Sequence, residues 1–154
     1  LLWKLKPNHA VAPQLYGTPK IHKENVPLRP IVSAIGSPTY NLAKELARIL
    51  SPLMGKTDSF IKNSSHFVKR IENMHLHPTD LMVSFDVESL FTRVPIEEAV
   101  NAISQSLDTD PTLQGRTPLP VATVCELTEF CLRTTYFQFQ REFWKQSEGA
   151  AMDS

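Results

Sequence analysis

The chain has 154 residues, of which 42% are hydrophobic, and its 16 basic residues balance its 16 acidic residues. This composition predicts a soluble globular protein with one modest core, and the absence of a long apolar run or a secretory signal argues against a membrane protein or an exported one. The balance hides an asymmetry, because residues 1–30 hold five cations and one carboxylate whereas residues 81–154 hold five cations and eleven carboxylates. This asymmetry suits an anionic ligand, although ordinary variation in surface charge also produces it.

The first predicted elements form a two-stranded finger. Short strands over residues 15–16 and 28–33 flank a loop rich in Lys, His, Asn and Pro, which predicts a hairpin with an exposed basic tip. Two helices are expected next. The first opens at Ser37 and runs to about Leu50 with an apolar stripe, and the second begins after Asn63, a favourable N-cap residue.

The segment over residues 81–87 is predicted to be the central strand, because its apolar run suggests burial on both faces. It ends in Asp86, and a carboxylate at the end of a buried strand is costly unless a cation or hydrogen bonds compensate it. This placement is typical of Mg²⁺ sites beside phosphate chemistry, whereas a lone Asp at a strand end often serves only as a cap or turn residue. A helix beginning at Pro95 follows, with Glu97 and Glu98 in its first turn, where the helix dipole favours negative charge.

The last third of the chain predicts a loop, a helix and a hairpin. The loop over residues 108–120 contains three Pro and one Gly and is the best internal boundary or insertion site. A helix is expected over residues 121–132, and its two cysteines lack the partners of a zinc site, which favours buried thiols in a reducing compartment. Residues 136–140 alternate as a strand, with residues 142–146 as its hairpin partner. These elements together predict an α+β domain with a mixed sheet and packed helices.

Several segments, taken in order, resemble reverse-transcriptase motifs. They are residues 16–23 (YGTPKIHK), 27–33 (PLRPIVS) and 85–95 (FDVESLFTRVP). Residues 35–43 (IGSPTYNLA) and 136–140 (YFQFQ) are similar to the Penelope-like retroelement branch of that family. The resemblance covers most of the chain from about Leu15 onward. It implies a right-hand polymerase fold, with the fingers in residues 1–80 and part of the palm in residues 81–154.

The resemblance also implies a metal site and a sugar-reading residue. Asp86 matches the first catalytic aspartate, which binds the two Mg²⁺ ions of nucleotidyl transfer, and the backbone carbonyl of Val87 would add an oxygen ligand. Phe91 matches the aromatic steric gate that excludes a 2′-hydroxyl, and the alternative is a core Phe that anchors the next helix. Because five residues along a straight strand place two side chains on opposite faces, Asp86 and Phe91 can share a pocket only if the chain bends near residues 88–89.

Four further residues match nucleotide-binding positions. Arg29 matches the residue that grips the incoming triphosphate, since a guanidinium binds phosphate oxygens in a bidentate manner. Lys20 and Lys23 match basic positions of the finger, and the sequence leaves open which one touches the nucleotide and which one the template backbone. For Lys23 a solvated surface charge is a real alternative. Met152 lies in a motif that supports the template and nucleotide from the palm.

Two positions depart from the family pattern. Asp153 stands where the family ordinarily has Gly, and its side chain enters where the backbone should approach the substrate closely. Arg141 likewise occupies a place where Gly is common. Both departures suggest a decayed copy of a mobile element. The two further catalytic aspartates are expected in a hairpin after Ser154, so this chain would hold only part of the metal site.

Two functions are therefore open. The first is a fragment of an RNA-directed DNA polymerase, whose full-length parent extends a DNA primer along an RNA template from deoxynucleoside triphosphates with two Mg²⁺ ions. The second is a non-catalytic nucleic-acid-binding remnant of a retroelement that uses the basic finger. The resemblance implies an intracellular, nuclear setting and no membrane partner, and the oligomeric state cannot be predicted from the sequence.

Overall fold

The computed structural model describes residues 5–7, 9–87, 90–147 and 149–150 of the chain. Within these residues the chain forms a hairpin, a set of helices and a second hairpin, which confirms the predicted α+β class. The elements in chain order are β1 (Gln14–Pro19), β2 (Leu28–Ser33), α1 (Tyr40–Leu50), α2 (Ser64–Ile71), α3 (Leu90–Arg93), α4 (Ile96–Asp108), α5 (Val121–Arg133), β3 (Tyr136–Phe139) and β4 (Glu142–Lys145). Short 3-10 helices, Ser51–Leu53 and Leu113–Gly115, follow α1 and α4.

The strands form one mixed sheet in the order β2-β1-β3-β4. β1 and β2 are antiparallel, with a register that runs from Gln14 opposite Ser33 to Pro19 opposite Leu28. β1 meets β3 in parallel where Gln14 lies opposite Gln138, and β3 pairs antiparallel with β4. Both predicted hairpins are therefore confirmed, and a single parallel contact joins them into one sheet.

The first two helices begin in different ways. α1 starts at Tyr40 rather than at the predicted Ser37, because residues 37–39 form a turn in which the Tyr40 amide donates to the Ser37 carbonyl. α2 starts after Asn63, whose side-chain oxygen accepts a hydrogen bond of 2.9 Å from the His66 amide. This bond satisfies one of the free amides of the first helical turn, so the predicted N-cap is confirmed.

The hydrophobic core lies between α1, α4 and α5. Its buried members are Leu46, Ile49, Leu107, Leu113, Val124 and Cys125. Leu113 comes from the loop between α4 and α5, so the Pro-rich segment that was predicted as a boundary or insertion site packs into the core instead. The core also draws on residues before and after position 80, and the division of the chain into a fingers region and a palm region stays a prediction.

The segment over residues 81–87 differs most from its prediction. It is not a strand, and its apolar side chains face solvent, with Leu81 88% and Phe85 91% exposed. The prediction of a central strand buried on both faces is therefore wrong. A strand needs neighbouring strands to pair its backbone groups, and the sheet within the described residues is built from other segments. The apolar run alone does not supply those partners.

Candidate nucleic-acid interface

The β1–β2 hairpin carries the predicted basic finger. Beyond the last strand pair, the Lys20 amide donates to the Pro27 carbonyl at 2.9 Å, and the loop then closes in a turn where the Val26 amide donates to the Lys23 carbonyl at 3.1 Å. Asn25 and Val26 have positive φ angles of 60° and 40°. A β-branched residue rarely adopts this left-handed conformation, so the tip is a tightly constrained loop rather than an open one.

Three predicted nucleotide-binding cations lie together on this hairpin. Lys23 and Arg29 are exposed and Lys20 is half-buried, and Arg29 lies opposite Thr18 in the strand register. Among the ion pairs formed within the described part of the chain, none involves these three side chains. No carboxylate of the described residues therefore neutralises these charges by direct contact, which suits phosphate binding.

Asp86 lies in the exposed segment over residues 81–87 and not in a buried pocket. Across the described residues, no group of three or more His, Cys, Asp or Glu side chains could hold a metal ion. Each Mg²⁺ ion needs about six oxygen ligands, several of which can be water or substrate. Asp86 and the Val87 carbonyl do not by themselves fit a two-ion site, and their metal-binding role stays a prediction.

Phe91 lies in the short helix α3, where its side chain is exposed. Its backbone carbonyl accepts a hydrogen bond of 2.7 Å from the amide of Ala150, which is itself buried. The bend expected at residues 88–89 lies outside the described residues, as do Met152 and Asp153. The steric-gate role of Phe91 and the binding role of Met152 stay predictions.

The structure thus groups some predicted site residues and leaves others apart. Lys20, Lys23 and Arg29 share one hairpin. No hydrogen bond or ion pair recorded between described residues connects these cations to Asp86 or Phe91. The sequence interpretation also passed over the exposed aromatic side chains of the sheet, because the face on which each one lies depends on the strand register.

A cavity of about 200 Å³ lies between the sheet and the helices α1 and α5. Its lining is mainly apolar, and the hydroxyl groups of Thr128, Thr134 and Thr135 each donate to a backbone carbonyl. Cys131 also lines the cavity, and burial raises the pKa of its thiol. Satisfied hydroxyls and a neutral thiol suit a packing role rather than nucleophilic chemistry.

The chain was compared with protein-family models, with curated proteins and with solved structures. No family model matches the chain, and no match was found among curated proteins or among solved structures. Within the described residues, no helix has both the length and the apolar character needed to cross a membrane.

Proposed function

We propose that this chain is the fingers and part of the palm of an RNA-directed DNA polymerase similar to those of Penelope-like retroelements. The observation that supports the proposal is the hairpin bearing Lys20, Lys23 and Arg29, which forms where the resembling motifs lie. Its cations form no ion pair with any carboxylate in the part of the chain that the structure describes. In the full-length parent, these cations would act on an RNA template, a DNA primer and deoxynucleoside triphosphates. Copying into chromosomal DNA would place the parent in the nucleus.

Each cation has a distinct task in this proposal. Arg29 lies in a paired strand, so the position of its backbone is fixed. Its planar guanidinium can bind two phosphate oxygens at once. Lys20 sits where the strands end and its backbone amide is held by Pro27, so it adds a point charge at a defined place. Lys23 lies in the tip turn, where its ammonium group can bind the phosphates of a template strand.

The palm residues would complete the site only with further ligands. When bound, Mg²⁺ would supply charge neutralisation at the triphosphate, and Asp86 with the Val87 carbonyl would provide two of its oxygen ligands. Within the described residues, no group of three or more His, Cys, Asp or Glu side chains could hold a metal ion. We therefore assign to this chain the binding of nucleic acid and nucleotide, and to the full-length parent the chemical step.

The second candidate is a nucleic-acid-binding remnant without catalysis. The observation that favours it is the missing carboxylate cluster around Asp86 in the described part of the chain. The two candidates differ in what the coding sequence contains after Ser154. An intact Asp-Asp motif there would support the polymerase, and an early stop or a frameshift would support the remnant.

Fluorescence anisotropy with a labelled DNA primer on an RNA template tests the proposed interface. We expect affinity to fall with rising salt, because bound Lys and Arg side chains release counterions from phosphates. Arg29→Ala and Lys20→Ala should each weaken binding and make the salt dependence shallower, by about one unit of log–log slope for each phosphate that the variant no longer binds.

Lys69→Ala is the matched control, because Lys69 is an exposed cation on α2 and lies outside the hairpin. It should bind the primer–template as the wild type does. If Arg29→Ala and Lys20→Ala also retain full affinity and the same salt dependence, the hairpin is not the interface and the proposed function is wrong.

A further inference from the structure

The strand register sorts the side chains of the sheet onto two faces. Residues opposite each other in neighbouring strands point to the same side, and successive residues of one strand alternate. The pairs Gln14–Gln138 and Gln138–Phe143 therefore put these three side chains on one face, and Tyr16 follows two residues after Gln14. A hydrogen bond of 2.9 Å from Gln14 Nε2 to Gln138 Oε1 agrees with this assignment.

This face, called the platform below, crosses all four strands. Its principal side chains are Gln14, Tyr16, Arg29, Gln138, Phe143 and Lys145. Phe143 is 70% exposed and Tyr16 is 47% exposed, so both aromatic rings are available to solvent. Aromatic rings that are open to solvent can stack on nucleic-acid bases, and cations beside them can bind phosphates.

The charges of the two faces differ in sign. Arg29 and Lys145 lie on the platform, and the strand residues of that face include no carboxylate. The opposite face carries Glu142 and no cation, and its Val32 lines the cavity against α1 and α5. The platform is therefore the cationic side of the sheet, and its charge is complementary to a polyanion.

We infer that the platform binds single-stranded nucleic acid, with bases stacked on Phe143 and Tyr16 and phosphates bound by Arg29 and Lys145. This inference rests on the function proposed above, because both require a nucleic acid as the partner. Stacking on a flat aromatic ring needs a base whose face is free, which a strand offers and a duplex does not. Exposed aromatic rings interleaved with cations thus select the unpaired strand, whereas the hairpin cations alone would bind either form.

The spacing of the platform side chains fits an extended strand. Phe143 and Tyr16 are separated by two strand spacings across the sheet and by two residues along the strand. Standard sheet dimensions put them about 12 Å apart. Arg29 lies a further strand and two residues away, about 8 Å beyond Tyr16. The resulting track of about 20 Å ends at the basic hairpin, so a bound strand would pass from the aromatic side chains to the hairpin cations.

The test compares two neighbouring residues on opposite faces of β4. Anisotropy is measured with labelled single-stranded RNA, single-stranded DNA and a duplex of equal length. Phe143→Ala should weaken single-strand binding about 5- to 100-fold, the range expected when one base stack is removed. Trp144→Ala removes an aromatic ring that is 52% exposed on the other face and should leave the affinity within about twofold. Tighter binding of either single strand than of the duplex supports the platform, whereas equal affinity for duplex and single strands would leave only the hairpin cations as the interface and overturn it.

Two further variants separate stacking from structure. Phe143→Tyr keeps a ring and should retain binding, whereas Phe143→Leu keeps apolar bulk without a ring and should lose it. Thermal unfolding of all variants checks that the hairpin still forms. Equal binding by Phe143→Leu and wild type, or equal weakening in Phe143→Ala and Trp144→Ala, would overturn the platform.

The outcomes also distinguish the two proposals. If Arg29→Ala loses binding while every Phe143 variant binds normally, the hairpin interface stands and the platform is wrong. If the wild-type chain binds neither single strands nor primer–template at low salt, both proposals fail together.

Discussion

The Asp110 carboxylate holds the loop that follows α4. Its side chain is almost fully buried and accepts a hydrogen bond of 2.5 Å from Arg116 Nη2, together with bonds from the hydroxyl and amide of Thr112. Lys56 Nζ lies 3.7 Å away, and the Arg116 carbonyl accepts a hydrogen bond from Arg48 of α1. These contacts tie the Pro-rich loop to the first helix.

We expect Asp110→Asn to lower the melting temperature by several degrees at neutral pH. The Arg116 guanidinium, helped by Thr112, holds the pKa of the Asp110 carboxyl well below its usual range. Such a carboxyl stabilises the fold at pH above its unfolded-state pKa of about 3.9, and this stabilisation is lost as pH falls below that value toward the folded-state pKa. The difference between wild type and Asp110→Asn should therefore stay constant from about pH 7 to about pH 5 and shrink below about pH 4.

Thermal unfolding followed by circular dichroism measures this difference at each pH. Asp108→Asn is the matched control, because Asp108 is an exposed carboxylate two residues away at the end of α4. That variant should change the melting temperature little. An Asp110→Asn difference that persists undiminished in acid would show that the carboxylate charge does not fix the loop.

At the scale of the element, the β3–β4 hairpin explains why Gly is common at position 141 in the family that the chain resembles. Gln140 and Arg141 form its two-residue connection, and their φ angles are 50° and 68°. Two-residue hairpin loops with positive φ at both positions favour Asn-Gly, because a Cβ makes the left-handed conformation costly. Gly at position 141 is therefore favoured by the turn itself, apart from any role in substrate binding.

We expect Arg141→Gly to raise the free energy of unfolding by about 1 kcal/mol, because glycine adopts positive φ without a Cβ clash. Urea denaturation measures the change. Arg141→Ala is the control, since it removes the same charge and side chain but keeps the Cβ, and it should remain close to wild type. Equal stabilisation by Ala and Gly would mean that the Arg side chain, rather than backbone strain, is the cause.

The elements that sequence could predict are those that local signals determine. The Asn63 cap, the alternation over residues 136–140 and the turn residues of the finger all act within a few positions, and the structure contains the corresponding elements. The grouping of Lys20, Lys23 and Arg29 was predictable for the same reason, because one hairpin brings them together. These signals lie within a few residues of the structure that they determine, so the sequence alone displays them.

The features that sequence missed depend on distant partners. The apolar run over residues 81–87 shows that the segment can be buried, but not that strands lie beside it. The Asp110 network needs Arg48, which is far away in sequence and reaches the loop only when α1 packs on α5. The platform likewise needs the parallel pairing of Gln14 with Gln138, and no motif in the sequence indicates that pairing.

At the scale of the whole molecule, the proposed binding residues and the proposed catalytic residue have different surroundings. The sheet carries its cations on a paired, hydrogen-bonded framework that is complete within the described residues. Asp86 instead lies on an exposed apolar segment without other carboxylates grouped around it in the described part of the chain. The proposed binding residues thus lie on an ordered framework, whereas the proposed metal ligands would need additional structure to complete their geometry.

We therefore expect the isolated chain to show no primer extension with Mg²⁺ and deoxynucleoside triphosphates on a primed RNA template. Two-ion catalysis needs carboxylates that bridge both ions, and Asp86 with the Val87 carbonyl supplies too few ligands to hold them at the spacing of about 4 Å. Anisotropy on the same preparation should still show primer–template binding, which serves as the control for folded protein. Wild type and Asp86→Asn should be indistinguishable in the extension assay. Extension that Asp86→Asn abolishes would instead mean that the remaining ligands come from this chain, and the assignment of catalysis to the full-length parent would be wrong.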